Sequence, residues 1–244
     1  MYYNEKYKLA NKFLLKGKYI GNFNALRTQF SEEQIIKYMK ALKYSDENFA
    51  IMAGDEKYLR ETNPALFEKS KFIDKMSDSR TYLQYCMDLV SGWLYEDLLI
   101  YSILFQNKEL HILRSGEDRF RTVLGHHITN MSDMKVEYKG QIRPCEIAMS
   151  HGNFHYKYGK IDLRYDKRKH LIEQNSLLLI VETSAFSKNK NDKLFALLSP
   201  NELLDYKESF AFDKPCQSIE LNPSKFKNTS YIAETLISYI TTTN

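Results

Sequence analysis

Hydrophobic and polar residues alternate between residues 133 and 149, a pattern typical of two short β-strands. The two strands would meet at Lys139-Gly140, because glycine readily adopts the positive φ that a two-residue hairpin turn needs. A hairpin with this turn pairs Asp133 directly with Glu146. Its core face would consist of Met134, Val136, Tyr138, Cys145, Ile147 and Met149. The alternation therefore predicts a hairpin whose opposite face carries two facing carboxylates.

The facing carboxylates of Asp133 and Glu146 predict a cation site. Directly opposed residues of an antiparallel pair have Cβ atoms about 4.5–5.5 Å apart. Two ionised carboxylates at that separation repel each other unless a proton or a cation lies between them. A divalent metal would explain the pair, although an ordinary hairpin with a solvated charged face gives the same alternation. Both interpretations stay open at this point.

The first part of the chain is predicted to be helical. Ser31-Glu32-Glu33-Gln34 forms a capping box ahead of apolar residues at helical spacing. The helical pattern extends over residues 1–75, with a break at Asn63-Pro64. We assign residues 1–78 to a helical N-terminal region, which is either a packing subdomain or an arm for DNA binding or dimerisation. Residues 79–244 form the predicted core, with a C-terminal extension for DNA contacts or packing.

A long helix is predicted from about Ser79 to Gln106, because its apolar residues recur at helical spacing. Glu96 and Asp97 interrupt the apolar C-terminal half of this helix. A carboxylate among apolar residues costs free energy unless it lies near the surface or has a partner. We therefore expect Asp97 to face solvent.

The rest of the chain contains both strand and helix patterns. Besides the hairpin, the predicted strands are 109–114, 177–182 and 195–198, of which the last two are continuous apolar runs. The predicted helices are 161–172, one that starts at Ser199-Pro200, and a helix or strand over 229–241, while 151–159 is a glycine-punctuated loop. This order predicts an α/β fold with a mixed central β-sheet flanked by helices.

Composition and charge exclude several classes of protein. Hydrophobic residues make up 43% of the 244 residues, which is too many for a disordered chain. The net charge of +4 allows a polyanionic partner without requiring one. Three widely spaced cysteines suggest neither a disulfide framework nor a zinc site. The sequence shows no signal-peptide pattern and no apolar run of membrane-spanning length, so we expect a cytoplasmic protein without a membrane partner.

The order of elements resembles the core of the PD-(D/E)XK nuclease superfamily, and within it the type II restriction endonucleases. That core has a helix with an acidic residue, then a hairpin with Asp on one strand and Glu-x-Lys on the next, then a helix and a strand. Glu96, Ser132-Asp133 and Glu146-Ile147-Ala148 match this core in order and spacing. The resemblance covers about residues 90–200.

The resemblance implies a sequence-specific double-stranded DNA endonuclease that requires Mg²⁺ and leaves a 5′-phosphate. Asp133, Glu146 and the backbone carbonyl of Ile147 would hold the ion, and Glu96 could add a ligand. All of these are oxygen donors, which Mg²⁺ prefers. Mn²⁺ would substitute for Mg²⁺, and Ca²⁺ would bind without supporting cleavage.

The lysine of the family motif is missing from its usual position, where this chain has Ala148. Strand alternation puts position 148 on the same face as Glu146. Three explanations stay open. The lysine was replaced deliberately, its role moved to Lys167 or Lys169 on the next helix or to Lys135 on the hairpin, or a natural variant works with another residue. A chain without such a lysine would bind DNA but cleave it slowly or not at all.

Several basic and polar residues are predicted to contact double-stranded DNA. They are Arg119, Arg121, Asn153, His155, Arg164, Lys167 and Lys169. Restriction enzymes that cut palindromes are usually two-fold dimers, so the resemblance also implies a homodimer. Other classes stay open, namely a junction resolvase or nicking repair nuclease, a DNA-binding module with a decayed site, and an interaction protein unrelated to nucleic acid.

Overall fold

The computed structural model describes residues 31–62, 64–67, 82–115, 131–151, 154–183, 194–211 and 214–242. Among these residues, those up to Leu98 belong to one compact unit and those from Leu99 onward belong to another. The boundary predicted between residues 78 and 79 lies outside the described residues, so that division stays a prediction.

The first unit is helical in its described part. It contains α1 (Glu32–Ala41), α2 (Asp46–Ala53), α3 (Glu56–Thr62), a 3-10 turn (Pro64–Phe67) and the beginning of α4 (Tyr82–Gln106). The capping box predicted at Ser31 is confirmed, because Ser31 Oγ accepts the Gln34 N–H at 3.3 Å and Gln34 Oε1 accepts the Ser31 N–H at 3.0 Å. The apolar stripe of α1 is buried at Ile35 and Met39.

The expectation that Asp97 faces solvent is wrong. Its side chain is 3% exposed, and its Oδ2 accepts a hydrogen bond of 2.8 Å from the Tyr44 hydroxyl. A buried carboxylate needs such a donor because its desolvation is costly. Tyr44 lies 53 residues earlier in the chain, so the spacing of residues along α4 could not reveal this partner.

The second unit contains both strands and helices. After the end of α4, its described elements are β1 (His111–Arg114), β2 (Met134–Tyr138), β3 (Gln141–His151), α5 (Phe154–Tyr158), β4 (Lys160–Leu163), α6 (Tyr165–Glu173), β5 (Leu177–Thr183), β6 (Leu194–Leu198), β7 (Lys207–Ala211), β8 (Lys214–Glu220), β9 (Lys227–Asn228) and α7 (Ile232–Thr242). Short 3-10 turns lie at Pro200–Leu203, Pro223–Lys225 and Thr229–Tyr231.

Six of the described strands form one mixed sheet in the order β1-β2-β3-β5-β6-β9. Strands β3 and β5 are parallel, and every other neighbouring pair is antiparallel. The parallel pair needs a crossover connection, and α5, β4 and α6 supply it. The predicted fold class, a mixed central sheet with helices and a helical N-terminal region, is confirmed.

A second sheet, in the order β4-β8-β7, corrects the predicted helix over 161–172. The helix begins only at Tyr165, because residues Lys160–Leu163 form β4 and pair with β8. Ile161 and Leu163 are buried on one face of this strand. A stretch of four residues fits both strand and helix spacing, so its pairing with a distant strand decides its conformation.

The described residues of the segment predicted as a loop over 151–159 include regular structure. His151 is the last residue of β3, and residues Phe154–Tyr158 form α5. At Ser199 the chain enters a 3-10 helix rather than a full α-helix, and its capping box with Glu202 is present. Of the two alternatives for residues 229–241, the helix is correct, as α7.

An apolar core in the second unit joins the main sheet to α6 and the second sheet. Its buried members are Ile161, Leu163, Leu171, Leu178, Ile180, Ala196, Leu198, Leu203, Ile219 and Leu221. Burial of these side chains stabilises the fold and fixes α6 against the sheet. Of the helices within the described ranges, none is both long and apolar enough to cross a membrane.

Candidate active site

The hairpin register predicted from the alternation is confirmed. Met134 pairs with Cys145, and Tyr138 pairs with Gln141. The intervening turn places Lys139 at φ 49° and Gly140 at φ 79°, as expected for a turn with two positive φ angles. The two predicted acids therefore lie at the same end of the hairpin, with Asp133 just before β2 and Glu146 in β3.

The carboxylate of Asp133 lies against the backbone of β3. Its Oδ2 accepts a hydrogen bond of 2.7 Å from the Ile147 N–H. This bond holds the carboxylate beside the peptide that joins Glu146 to Ile147. The bond is made to the Ile147 N–H, whereas the predicted metal ligand is the Ile147 carbonyl, so the three-ligand set stays a prediction.

A cluster of buried serines fixes the chain on both sides of Asp133. The Ser132 and Ser176 hydroxyls lie 2.7 Å apart, and Ser115 Oγ donates a hydrogen bond to the Ser132 carbonyl. The Ser115 N–H donates to the Asp133 carbonyl at 2.9 Å. These bonds connect the end of β1, the start of β2 and the start of β5. The sequence contains no motif that identifies the three serines, which lie far apart along the chain.

Lys167 of α6 forms an ion pair with Glu146. The Lys167 Nζ lies 2.5 Å from Glu146 Oε1, and the two side chains are 25% and 11% exposed. Charged hydrogen bonds of this length are strong where water is largely excluded. Of the three lysines predicted to replace the family lysine, Lys167 therefore reaches the acidic pair directly.

The other carboxylate oxygen of Glu146 does not share in this ion pair. Oε2 is buried and has no hydrogen-bond partner among the described residues, which is costly for a carboxylate oxygen unless a further group binds there. The described part of the chain has no group of three or more His, Cys, Asp and Glu side chains that could hold a metal. Mg²⁺ commonly takes only one or two carboxylates and keeps several waters, so the number of carboxylates here is compatible with this ion.

The carboxylates of Asp133 and Glu146 affect the pKa of the Cys145 thiol. Burial raises the pKa of the Cys145 thiol well above its ordinary value, and the neighbouring carboxylates of Asp133 and Glu146 raise it further. Negative charge near a thiol opposes its ionisation. The thiol is therefore neutral, and it fills the core side of β3 directly beside Glu146.

Ala148, at the position of the family lysine, packs at the edge of the apolar core. The other lysines that were considered lie in different surroundings. Lys169 is exposed and pairs with Glu173 at 3.7 Å, and Lys135 is exposed opposite Pro144 of β3. Among the described lysines proposed for this role, the ammonium of Lys167 is the one paired with Glu146.

The helix that carries Lys167 is anchored by the next residue, Arg168, which sequence analysis did not identify. Arg168 is 8% exposed, its Nε donates to Gln217 Oε1 at 2.5 Å, and its NH1 donates to the Leu203 carbonyl at 2.7 Å. Its guanidinium also lies 3.9 Å from the centre of the Tyr206 ring. These contacts tie α6 to the second sheet and to the 3-10 turn after β6.

The remaining predicted residues lie in separate places. His155 is half-buried on α5, with Nδ1 3.2 Å from the Lys160 carbonyl oxygen, and Arg164 is exposed before α6. Glu96 is half-buried on α4 in the helical unit, and its part in the site stays a prediction. Predictions that fall outside the described residues are those for Arg119, Arg121 and Asn153.

Comparison with models of known protein families finds no match for this chain. A search of curated proteins also finds no significant match. The assignment of a function therefore depends on the fold and on the geometry around Asp133, Glu146 and Lys167.

Proposed function

We propose that this chain is a Mg²⁺-dependent endonuclease that cuts double-stranded DNA at specific sequences, as the type II restriction enzymes do. The observation that carries this proposal is the grouping of Asp133, Glu146 and Lys167, in which Lys167 Nζ lies 2.5 Å from Glu146 Oε1. Asp133 and Glu146 belong to the hairpin, and the crossover of α5, β4 and α6, which carries Lys167, leads to the parallel strand β5. The order of hairpin, helix α6 and parallel strand supports the resemblance to PD-(D/E)XK nucleases.

The proposed metal ligands are the carboxylates of Asp133 and Glu146 and the carbonyl of Ile147. Mg²⁺ bound there would polarise the scissile phosphate and lower the pKa of a coordinated water. Within the protein, the Ile147 N–H restrains Asp133 through its 2.7 Å hydrogen bond. This restraint fixes the Asp133 carboxylate beside the peptide that joins Glu146 to Ile147, so this side chain needs little reorganisation when the substrate arrives.

Lys167 takes the role of the family lysine in this proposal. Its ammonium would donate a hydrogen bond to the attacking water or to a phosphate oxygen, and it would stabilise the negative charge that develops there. The buried contacts of Arg168 hold the helix in place, so that the Lys167 side chain reaches the site from α6. Lys167 thus provides the positive charge beside Glu146, although residue 148 is an alanine.

The wider proposal includes duplex DNA as substrate, a 5′-phosphate product and a homodimer. Arg164 and Lys169 are exposed and lie within three positions of Lys167 in sequence, and they are candidates for phosphate contacts. A two-fold dimer would place two such sites on the two strands of a palindrome. Sedimentation of the protein with and without a duplex would measure its oligomeric state.

The proposal is tested by incubating the chain with a varied panel of supercoiled and linear DNAs in Mg²⁺, Mn²⁺ or Ca²⁺. Discrete fragments should appear with Mg²⁺ and Mn²⁺ but not with Ca²⁺, and end-labelling should identify 5′-phosphates. Glu146→Gln is the matched control, because it removes the ionised carboxylate while keeping the side-chain size. Branched and nicked substrates belong in the same panel, since cleavage confined to junctions would indicate a resolvase. Absence of cleavage on every substrate would refute the nuclease function.

A further inference from the structure

Helix α5 exposes two aromatic rings side by side. Phe154 is 42% exposed and Tyr158 is 55% exposed, and their ring centres lie 4.6 Å apart. Residues four apart lie on the same side of a helix, so the two rings are adjacent, with their planes tilted by 52°. Large apolar groups that remain together at the surface of a folded protein often mark a binding site.

The other side of α5 is firmly attached to the main sheet. The Tyr156 N–H donates a hydrogen bond of 3.1 Å to Oε1 of Glu182, whose side chain is fully buried in β5. The Tyr156 ring also packs edge-on against Phe226, with ring centres 5.2 Å apart. The exposed rings of Phe154 and Tyr158 are therefore presented by an anchored helix, which lowers the entropy cost of binding a ligand to them.

A cation lies beside the two rings. Lys157 Nζ lies 5.3 Å from the centre of the Tyr158 ring, and the His155 ring packs edge-on against Phe154. The Glu182 carboxylate that accepts the Tyr156 N–H is fully buried. Exposed aromatic rings next to a lysine suit a ligand that has both flat rings and negative charge, and a nucleic acid strand has both.

We propose that Phe154 and Tyr158 form a stacking platform for an unstacked base of the bound DNA strand, with Lys157 contacting the adjacent phosphate. This inference rests on the proposed nuclease function and specifies how the substrate is held.

The test compares two fluorescently labelled single strands of equal length, oligothymidylate and an abasic strand with the same phosphates. Both carry the same charge, so a difference in their affinity reports contacts to the bases. Anisotropy titrations without divalent metal should show that the wild-type chain binds oligothymidylate at least about tenfold more tightly, as expected for one or more base–aromatic stacks. The double variant Phe154→Ala/Tyr158→Ala should lose this preference and keep its affinity for the abasic strand.

Phe210→Ala is the matched control, because Phe210 is a 68% exposed aromatic residue on β7, outside α5. This variant should keep the full preference for oligothymidylate. Equal binding of the two strands by the wild-type chain, or an unchanged preference in the double variant, would overturn the proposed platform. Unfolding curves will show that the exposed-site variants remain folded.

The test of the stacking platform and the test of the nuclease function can fail independently of each other. A wild-type chain that cleaves duplex DNA with Mg²⁺ but does not prefer the strand with bases refutes the platform alone. A chain that prefers the strand with bases but cleaves no DNA supports the platform and refutes the nuclease function alone.

Discussion

The ammonium of Lys167 lies 2.5 Å from Glu146 Oε1, although the two residues belong to different elements and are 21 positions apart in sequence. The residue on the same strand face as Glu146, two positions later, is Ala148, whose side chain packs at the edge of the apolar core. A lysine on α6 therefore supplies the positive charge beside the acidic pair.

Lys167→Met should lower DNA cleavage by about 10²–10³-fold, the usual cost of removing one donor that stabilises transition-state charge. The same change should strengthen Mg²⁺ binding to the free protein, because the Lys167 ammonium no longer offsets the negative charge of Glu146. Single-turnover cleavage and calorimetric titration measure the two effects. Lys169→Met is the control, since Lys169 is exposed and paired with Glu173, and it should keep the cleavage rate at saturating protein. Wild-type cleavage by Lys167→Met would contradict the assigned role.

Two substitutions of Asp133 should separate its hydrogen bond to the Ile147 N–H from its proposed role in binding Mg²⁺. Asp133→Asn keeps an oxygen that accepts the Ile147 N–H, so its free energy of unfolding should stay within about 0.5 kcal/mol of wild type. It should nevertheless lose Mg²⁺ binding. Asp133→Ala also removes the acceptor, and it should destabilise the fold by about 1–2 kcal/mol. Urea unfolding and calorimetry check these results, and equal stability of the two variants would show that the hydrogen bond is unimportant.

Arg168 should matter for the stability of the fold, whereas its neighbour Arg164 should not. Arg168→Met leaves Gln217 and the Leu203 carbonyl without their buried donor, and it should lower the free energy of unfolding by about 3 kcal/mol. Arg164→Met changes an exposed side chain and should stay within about 0.5 kcal/mol of wild type. Urea unfolding of both variants provides the comparison. A stable Arg168→Met variant would mean that α6 does not depend on this anchor.

The stability of the protein should fall in alkaline solution because of Cys145. Burial, followed by the charges of Asp133 and Glu146, raises the pKa of its thiol in the folded state above the ordinary value of 9.0. As the pH rises, the thiol of the unfolded chain loses its proton at a lower pH than the thiol of the folded chain. The contribution of Cys145 to stability is therefore complete below about pH 9, and it is lost as the pH rises through the folded-state pKa. The loss from this group is at most about 1.4 kcal/mol per pH unit.

Cys145→Ala isolates this effect from the titration of other groups. The variant lacks the thiol, so its free energy of unfolding should decline less steeply than that of wild type between pH 8 and pH 10. Urea unfolding at several pH values measures both slopes. Parallel declines would contradict a contribution from Cys145.

The sequence alone was sufficient for the hairpin and for the mixed α/β class. The alternation around Lys139-Gly140 determines which side chains share a face, and a shift by one residue would expose Met134 and Cys145 to water. That penalty is local, so the pairing of the two acids could be predicted from residue order. The capping box at Ser31 could be predicted for the same reason, because all its partners lie within one helical turn.

The tertiary structure decided the features that depend on contacts between residues far apart in the chain. The Tyr44 hydroxyl accounts for the burial of Asp97, and pairing with β8 makes residues Lys160–Leu163 a strand. Packing of α6 against the sheet brings Lys167 to Glu146. In each case the local pattern allows more than one arrangement, and the distant partner supplies the hydrogen bond or burial that selects one of them. The sequence therefore determined the acidic pair, and only the folded chain determined which lysine meets it.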